Sequence, residues 1–286
     1  MVYGLGLAHG PGKTRPFPMG QAPVHGDTLL TGTVGDPIGH VRAPEVMAAW
    51  FARRGINAMW LPFHVSPENL GAFVAGMRAL GNVAGFTVTM PHKEKVIPLL
   101  DHVTDIVERT GSANLVRREA DGRLIGDNVD GVGFMEGLRV SGVSVTGRSV
   151  WLVGLGGAGA AIAWALAGAK PGRMILHDIN ETRAVNLADS LRQCHGDIAI
   201  EVARPESIDV AINATPLGLH AEDDLPFDPG VVKTGGDLVE IIMTPEVTPL
   251  MAKAADQGLH VVPGRRMLDG QLQRYADFMG LSPATG

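Results

Sequence analysis

Residues 148–159 read RSVWLVGLGGAG, and they give the clearest indication of the fold of this chain. Its apolar part, Val150–Val153, predicts a strand that is buried on both faces, as the strands of parallel sheets are. The strand leads into the glycine pattern at residues 154–159, and Ala160–Ala169 predicts a helix directly after it. In this order of strand, glycine turn and helix, the pattern indicates a Rossmann-like unit whose backbone approaches a pyrophosphate. The alternative is a glycine-rich connection that binds nothing. The residues expected around the pyrophosphate are Gly154, Gly156, Gly157, Ala158 and Gly159.

An acidic residue follows the next predicted strand, Met174–His177. Asp178 stands 19 residues after Gly159 (178 − 159). A carboxylate at about that spacing can accept a hydrogen bond from a ribose 2′-hydroxyl, and it repels a 2′-phosphate. We therefore predict NAD as the preferred cofactor. NADP stays open, because Arg183 follows within a few residues and could reach a phosphate. The alternative for Asp178 is a solvated aspartate in a loop.

Net charge, cysteine content and hydropathy exclude several classes of protein. The 286 residues include 24 Lys and Arg against 30 Asp and Glu, a net charge of −6, so no basic surface for nucleic acid is expected. The single cysteine, Cys194, excludes an internal disulfide and fits a reducing cytoplasm. No Cys-x-x-Cys pair, membrane-spanning apolar stretch or signal peptide is apparent. We expect a cytoplasmic protein with a small-molecule partner and without a metal, and we allow for a homodimer.

Alternating strand and helix patterns indicate an α/β protein of two domains. Residues 1–26 are rich in glycine and proline and predict an irregular N-terminal extension. Residues 27–129 together with 265–286 are expected to form an α/β substrate domain, and residues 130–264 a Rossmann-like NAD(P)-binding domain. The helical pattern over Met267–Met279 is expected to return to the first domain.

Proline and glycine mark the element boundaries of the substrate domain. Pro44 predicts a helix start and Gly55 its end. Pro91 is expected to open a further helix that carries Lys93. The dipeptide Asp-Gly at 121–122 predicts a β-hairpin. The predicted strands of this domain are Leu29–Val34, Ala58–Phe63, Val83–Thr89, Asn114–Arg118 and Arg123–Ile125.

Five ordered motifs accompany the glycine turn. They are GDPIGH at 35–40, TVTMPHKE at 87–94, GDNVDG at 126–131, INATPLG at 212–218, and the late residues Gly264, Met267, Leu268 and Gln271. In this order they resemble the shikimate dehydrogenase family, which includes quinate and aminoshikimate enzymes. The resemblance covers about residues 29–280.

The resemblance implies a cleft between the domains and a reversible hydride transfer between NAD(P) and a ring hydroxyl of shikimate or a related cyclic polyol acid. By motif, Lys93 and Asp130 would be the acid–base pair, because oxidising an alcohol releases a proton together with a hydride. Taken alone, Lys93 could be a surface lysine and Asp130 a helix N-cap. The residues expected to hold the substrate are Thr87, Thr89, Asn114, Gln271 and Arg42. On the cofactor side the INATPLG motif adds Asn213 and Thr215. The alternative function is an NAD-binding sensor or pseudoenzyme that binds a ring acid without efficient turnover.

Three hydroxyls of the family pattern are missing from this chain. The family has two serines and a tyrosine that hold the substrate carboxylate, and their positions are occupied by Val41, Ala43 and Met243. A buried carboxylate without hydrogen-bond partners is costly. Two explanations stay open. The substrate has no carboxylate at this end, or a different side chain binds the carboxylate from a new direction. The candidates for that side chain are Arg42, His92 and Arg265.

Further departures lie near the cofactor and the lysine. NADP-using members typically have Asn-Arg-Thr after the second strand of this unit, where this chain has Asp178-Ile179-Asn180. The loss of that arginine also favours NAD. Thr87 stands where the family has an asparagine, and His92 stands in place of a phenylalanine.

Overall fold

Two six-stranded sheets form the frame of the part of the chain that the structure describes. The computed structural model describes residues 24–220 and 222–283. Residues 1–23 of the predicted N-terminal extension lie outside the described residues, so the irregular form of that segment stays a prediction. Within the described part, no helix is both long and apolar enough to span a bilayer.

The first sheet is mixed. Its strands are β1 (Leu29–Gly35), β2 (Ala58–His64), β3 (Gly85–Val88), β4 (His102–Val103), β5 (Leu115–Arg118) and β6 (Leu124–Asp127), and its helices are α1 (Ala43–Arg54), α2 (Leu70–Ala79) and α3 (Asp105–Thr110). The strand order is β2-β1-β3-β5-β6-β4. β1 runs parallel to β2 and β3, whereas β5 pairs antiparallel with β3 and β6. The alternating pattern favoured parallel sheets, but the predicted hairpin at Gly122 joins β5 to β6 and needs no crossover helix.

The second sheet is parallel throughout. Its strands are β7 (Ser149–Val153), β8 (Arg173–His177), β9 (Ala199–Val202), β10 (Ile208–Asn213), β11 (Val232–Glu240) and β12 (His260–Val262). Four helices accompany them: α4 (Asp130–Val140), α5 (Gly157–Gly168), α6 (Glu181–Cys194) and α7 (Pro249–Asp256). The order β12-β11-β10-β7-β8-β9 is that of a Rossmann dinucleotide-binding sheet, with its topological switch point between β7 and β10.

The last helix, α8 (Arg265–Phe278), returns to the first sheet as predicted. Its buried face includes Leu268, Leu272 and Tyr275, which share one hydrophobic cluster with residues of α1. The Tyr275 ring lies 5.5 Å from the Trp60 ring of β2. Burial of these apolar side chains stabilises the return of the chain end, and it carries the cleft-facing residues of α8 to the edge of the first sheet.

The prediction of a helix opened by Pro91 is wrong. Residues 90–96 form turns, and only a short 3₁₀ segment, Ile97–Leu99, follows. Two tertiary contacts compete with a helix here. The Lys93 carbonyl accepts a hydrogen bond from the Ala113 N–H at 2.9 Å, and the buried His92 ring bonds the Val65 carbonyl at 2.7 Å. These contacts fix Lys93 on a tight turn directly after β3.

Candidate active site

A cleft of about 1150 Å³ lies between the two sheets, at the carboxyl ends of their strands. Its lining includes Thr33 and Thr87 from β1 and β3, and Val153 and His177 from β7 and β8. In open α/β sheets, ligands bind outside the carboxyl ends of the strands at a switch point. A nucleotide from one side and a small ligand from the other can meet here. No group of three or more His, Cys, Asp or Glu suited to a metal ion occurs among residues 24–220 and 222–283.

Lys93 and Asp130 meet in this cleft. Lys93 Nζ donates to Asp130 Oδ2 at 2.6 Å, and the two side chains are 17% and 6% exposed. Asp130 is the first residue of α4, and Val129 occupies the N-cap position, so the N-cap alternative for Asp130 does not hold. The Asp130 N–H donates to Asn128 Oδ1 at 3.0 Å. An amine and a carboxylate this close, and this little exposed, can pass a proton to a ligand in the cleft.

Gln271, on α8, also contacts this pair. Its Nε2 donates to Asp130 Oδ1 at 3.0 Å, and its Oε1 accepts a hydrogen bond from the Tyr275 hydroxyl. Burial, followed by the charge of Asp130, raises the pKa of Tyr275 well above its ordinary value, so the hydroxyl remains a donor. The sequence pointed to Gln271 but not to Tyr275. Their spacing of four residues, which brings side chains together on one helix face, was the available signal.

Hydroxyl and amide groups line the cleft beside the pair. Thr87, Thr89 and Asn114 all face it. Thr87 Oγ1 lies 2.9 Å from Thr33 Oγ1, which also accepts a hydrogen bond from Trp60 Nε1 at 2.9 Å. Asn114 Oδ1 accepts from the N-cap residue of α4 at 2.9 Å, which fixes the side-chain amide. Such fixed donors and acceptors suit the hydroxyls of a polyol.

The three cations considered for a substrate acid do not line this cleft. Arg42 forms an ion pair with Glu45 in the first turn of α1, and its side chain is 41% exposed. Arg265 likewise pairs with Asp269 at 2.8 Å, one turn along α8. His92 is fully buried on the turn that carries Lys93. The predicted substrate role of Arg42 is therefore not supported, because its acidic partner holds it at the surface.

All five residues of the glycine turn that were expected around a pyrophosphate, 154 and 156–159, line the cleft. Gly154 has a φ of 91°, a conformation that favours glycine. A Cβ at Gly159 would lie 2.0 Å from the Gly154 carbonyl oxygen, whereas a Cβ at Gly156 would meet nothing within 4 Å. The turn is thus closed toward the strand and open toward the cleft at the start of α5. This shape fits the pyrophosphate of a dinucleotide.

Asp178 supports that turn and is not a solvated loop residue. Its side chain is 5% exposed. Oδ2 accepts from the Leu155 N–H at 2.6 Å, and Oδ1 accepts from the Asn180 N–H at 2.8 Å. Arg183 Nη1 lies 3.6 Å from Oδ1. The neighbouring Ile179 is fully exposed at the cleft. A carboxylate, an arginine and an apolar side chain therefore lie together where β8 ends.

Two further groups at the cofactor end were not predicted. Arg204, just after β9, lies with Nη2 3.1 Å from His177 Nε2, and both line the cleft. Burial, followed by the charge of Arg204, lowers the pKa of His177. The neutral ring can then accept a hydrogen bond from Arg204 through Nε2. Their positions at the carboxyl ends of two parallel strands were the available signal.

Asn213 lies behind the cleft and not in its lining. It is fully buried at the end of β10, and its Nδ2 donates to both Glu240 oxygens at 3.1 and 3.0 Å. Its Oδ1 accepts from the N–H and the hydroxyl of Thr215 at 3.0 and 2.7 Å. Thr215 does line the cleft. The predicted cofactor contact of Asn213 is thus replaced by a positioning contact, and Glu240, which the sequence did not suggest, anchors it.

Comparison with known proteins agrees with this geometry. Residues 33–116 match the family model for the shikimate dehydrogenase substrate binding domain. A shikimate dehydrogenase (NADP(+)) of Rubrobacter xylanophilus is 36% identical over 272 residues, which cover 92% of this chain and 95% of the relative. The chain belongs to the shikimate dehydrogenase family.

Solved structures give the same two-domain fold. Quinate dehydrogenase from Corynebacterium glutamicum in complex with NAD has a TM-score of 0.77 at 27% identity, and the match covers 90% of this chain and 95% of that one. The ligand-free 5-ketofructose reductase of Gluconobacter sp. strain CHM43 has a TM-score of 0.78 at 26% identity, over 88% of this chain and 92% of that one. Proteins that share this fold thus carry names with different substrates.

Proposed function

We propose that this chain is a nicotinamide-dependent dehydrogenase that reversibly transfers a hydride between its cofactor and a ring hydroxyl of shikimate or a related cyclic polyol acid. The observation that carries the proposal is the 2.6 Å contact between Lys93 Nζ and Asp130 Oδ2. This pair lines the same cleft as the glycine turn. Lysine is almost never buried unless it is paired, and here the paired lysine lies in the cleft that a dinucleotide-binding loop also lines.

The side chains of the cleft divide the chemistry between them. When bound, NAD(P) supplies the hydride acceptor for oxidation and the donor for reduction. In reduction, Lys93 Nζ gives its proton to the ring ketone oxygen, and in oxidation it takes the proton of the carbinol. Asp130 holds the amine in position through Oδ2. Thr89 and Asn114 hold other ring hydroxyls, so that one carbinol faces the amine.

We further propose that NAD is preferred over NADP. Asp178 directly follows β8, and its carboxylate repels a 2′-phosphate. Ile179 stands at the family position of a phosphate-binding arginine. The relative from Rubrobacter xylanophilus is named for NADP(+). Arg183, 3.6 Å from Asp178, is the residue that would let this chain take NADP as its second cofactor.

Turnover of a substrate panel tests the proposed activity. The purified chain is mixed with NAD or NADP and with shikimate, quinate or aminoshikimate, and the nicotinamide absorbance is followed. The reverse reaction is assayed with 5-ketofructose, because a structural neighbour is a reductase of that ketone. We expect oxidation or reduction of at least one compound. Binding of NAD and a ring ligand by calorimetry without any hydride transfer would identify the sensor or pseudoenzyme instead.

We also propose a cytoplasmic location, a homodimer, and domain boundaries at residues 27–129 with 265–286 and at residues 130–264. The exposed thiol of Cys194 suits a reducing compartment. The proposed boundaries fall between the two sheets and at the start of α8. Light scattering of the purified chain measures its assembly, and a monomer would rule out the homodimer.

A further inference from the structure

We infer that the substrate of this chain carries an uncharged substituent where shikimate carries its carboxylate. This inference rests on the proposed dehydrogenase function, and it replaces the cyclic polyol acid named there by a cyclic polyol whose acid group is absent or neutral. It concerns one side of the cleft, which we call the apolar wall and define by Val41, Ala43, Met243 and Leu268. All four residues line the cleft.

The apolar wall is part of the hydrophobic core. Ala43 and Leu268 are buried members of a cluster that also contains Tyr275 and Trp60, and Val41 and Met243 pack against that cluster. The positions where the family has three hydroxyls therefore belong to, or pack against, one hydrophobic cluster that also contains aromatic rings. The apolar wall gains free energy by covering apolar groups and offers a carboxylate nothing in exchange for water.

No lysine or arginine among the described residues of the cleft lining is free to replace the lost hydroxyls. Among the described residues that line the cleft, Arg183 and Arg204 lie at the cofactor end, beside Asp178 and His177 respectively. Lys93 is paired with Asp130. The three candidates outside the cleft have other partners or are buried, as described above. Glu94 adds an acidic side chain to the lining beside Lys93, which further disfavours an anion.

The polyol end of the cleft keeps its hydrogen-bonding groups. Thr87, Thr89 and Asn114 line it, and the Lys93–Asp130 pair remains in place. The two ends together specify a ring with hydroxyls on one side and a neutral group, such as an ester, a hydroxymethyl or a hydrogen, on the other. A carboxylate at the apolar wall would lose its hydration without gaining donors.

A matched pair of ligands tests this inference directly. Shikimate and its methyl ester share the ring and its hydroxyls and differ only in the charged group. Calorimetry measures the Kd of each ligand for the chain saturated with NAD, and steady-state kinetics measure kcat/KM. We expect the ester to bind and to react better than the acid by about tenfold or more, because a hydrogen-bonded charge that loses its partners typically costs at least that factor.

Restoring the family hydroxyls should reverse the preference. In the variant Val41→Ser/Ala43→Ser/Met243→Tyr we expect the acid to bind better than the ester. Met243→Tyr alone should move the ratio part of the way, which covers the case in which the triple variant does not fold. Val247→Ser is the matched control, since Val247 is exposed and outside the cleft lining, and it should leave the ratio unchanged.

Tighter binding of shikimate than of its ester to the wild-type chain would overturn the inference. His40 also lines the cleft, so His40→Ala would then show whether that imidazole receives the acid. Failure of both ligands to bind would overturn the inference as well. Binding of the ester without hydride transfer to any compound in the substrate panel would support the neutral pocket and contradict the proposed dehydrogenase function, so the two failures are distinguishable.

Discussion

Gln271 Nε2 lies 3.0 Å from Asp130 Oδ1, so an amide on α8 holds the carboxylate at the start of α4. The Tyr275 hydroxyl fixes this amide by donating to Gln271 Oε1. Because Asp130 Oδ2 accepts from Lys93 Nζ at 2.6 Å, both carboxylate oxygens are engaged. The orientation of the proposed acid–base pair therefore depends on a hydrogen-bond chain that begins at a buried tyrosine.

Tyr275→Phe removes one hydroxyl from this chain and keeps the ring that packs on Trp60. We expect kcat to fall by about tenfold with a smaller change in KM, because a buried amide oxygen left without its donor costs about 1–3 kcal/mol and loosens the carboxylate. Steady-state kinetics with Gln271→Leu and the double variant measure the coupling. The two losses should be strongly non-additive. Additive losses would show that the two residues act separately.

Lys93→Ala removes the proposed proton donor. We expect kcat to fall by about 10²–10⁴, with NAD affinity unchanged, as measured by absorbance kinetics and by calorimetry. Lys95→Ala is the matched control, because Lys95 lies two residues away and is exposed. A fully active Lys93→Ala enzyme would remove the lysine from the mechanism.

Features set by local sequence could be predicted. The strand, glycine turn and helix around residues 150–169 follow from apolar runs and from glycine stereochemistry, and the order of motifs indicated the pairing of Lys93 with Asp130. The prediction of a helix at Pro91 was wrong for the opposite reason. Backbone groups of this segment bond Ala113 and other distant residues, and contacts at long sequence separation leave no local periodicity.

The ion-pair partner of Arg42 and the burial of Glu240 were not predicted either. Arg42 was a reasonable candidate to bind the carboxylate of a substrate, but in the folded chain it forms an ion pair with Glu45 at the start of α1. A glutamate is usually expected at the surface. Glu240 is nevertheless only 1% exposed, and it accepts a hydrogen bond from Asn213. Buried polar residues of this kind depend on how strands from distant parts of the chain align.

Asp178→Asn tests the cofactor preference more cleanly than removal of the side chain. The amide oxygen can still accept from one of the two backbone N–H groups that Asp178 binds, those of Leu155 and Asn180, while the negative charge is lost. We expect the ratio of kcat/KM for NAD over NADP to fall by about tenfold, because repulsion of the 2′-phosphate disappears. Arg183→Ala should raise the same ratio. An unchanged ratio in both variants would assign cofactor choice to other residues.

Gly131→Ala tests the close contact that aligns α4 with the glycine turn. A Cβ at Gly131 would lie 2.4 Å from the Ala161 carbonyl oxygen of α5. The helices must separate to accept it, so we expect a loss of about 1–3 kcal/mol in the free energy of unfolding and a lower kcat, because Asp130 precedes this glycine. Gly168→Ala is the control. Its Cβ would meet nothing within 4 Å, and chemical denaturation should show a change of about 1 kcal/mol or less.

Glu240→Gln tests the buried carboxyl that anchors Asn213. Burial raises the pKa of Glu240 above its ordinary value of 4.5, and hydrogen bonds from Asn213, Thr248 and two backbone N–H groups oppose that shift only partly. An acid whose pKa is raised in the fold stabilises the fold below its unfolded pKa. That contribution is lost as the pH rises through the folded pKa. The wild-type chain should therefore lose stability relative to Glu240→Gln as the pH rises from about 5 to about 8.

Chemical denaturation of both chains across this range measures the effect, and Asp209→Asn is the control of opposite sign. Hydrogen bonds from Lys233 and Ser149 hold the pKa of Asp209 well below its ordinary value. Its contribution is complete above the unfolded pKa and is lost only as the pH falls below it. The difference between wild type and Asp209→Asn should therefore stay constant from about pH 5 to about pH 8. A constant difference for Glu240→Gln as well would mean that the Glu240 carboxyl titrates alike in the folded and unfolded chains.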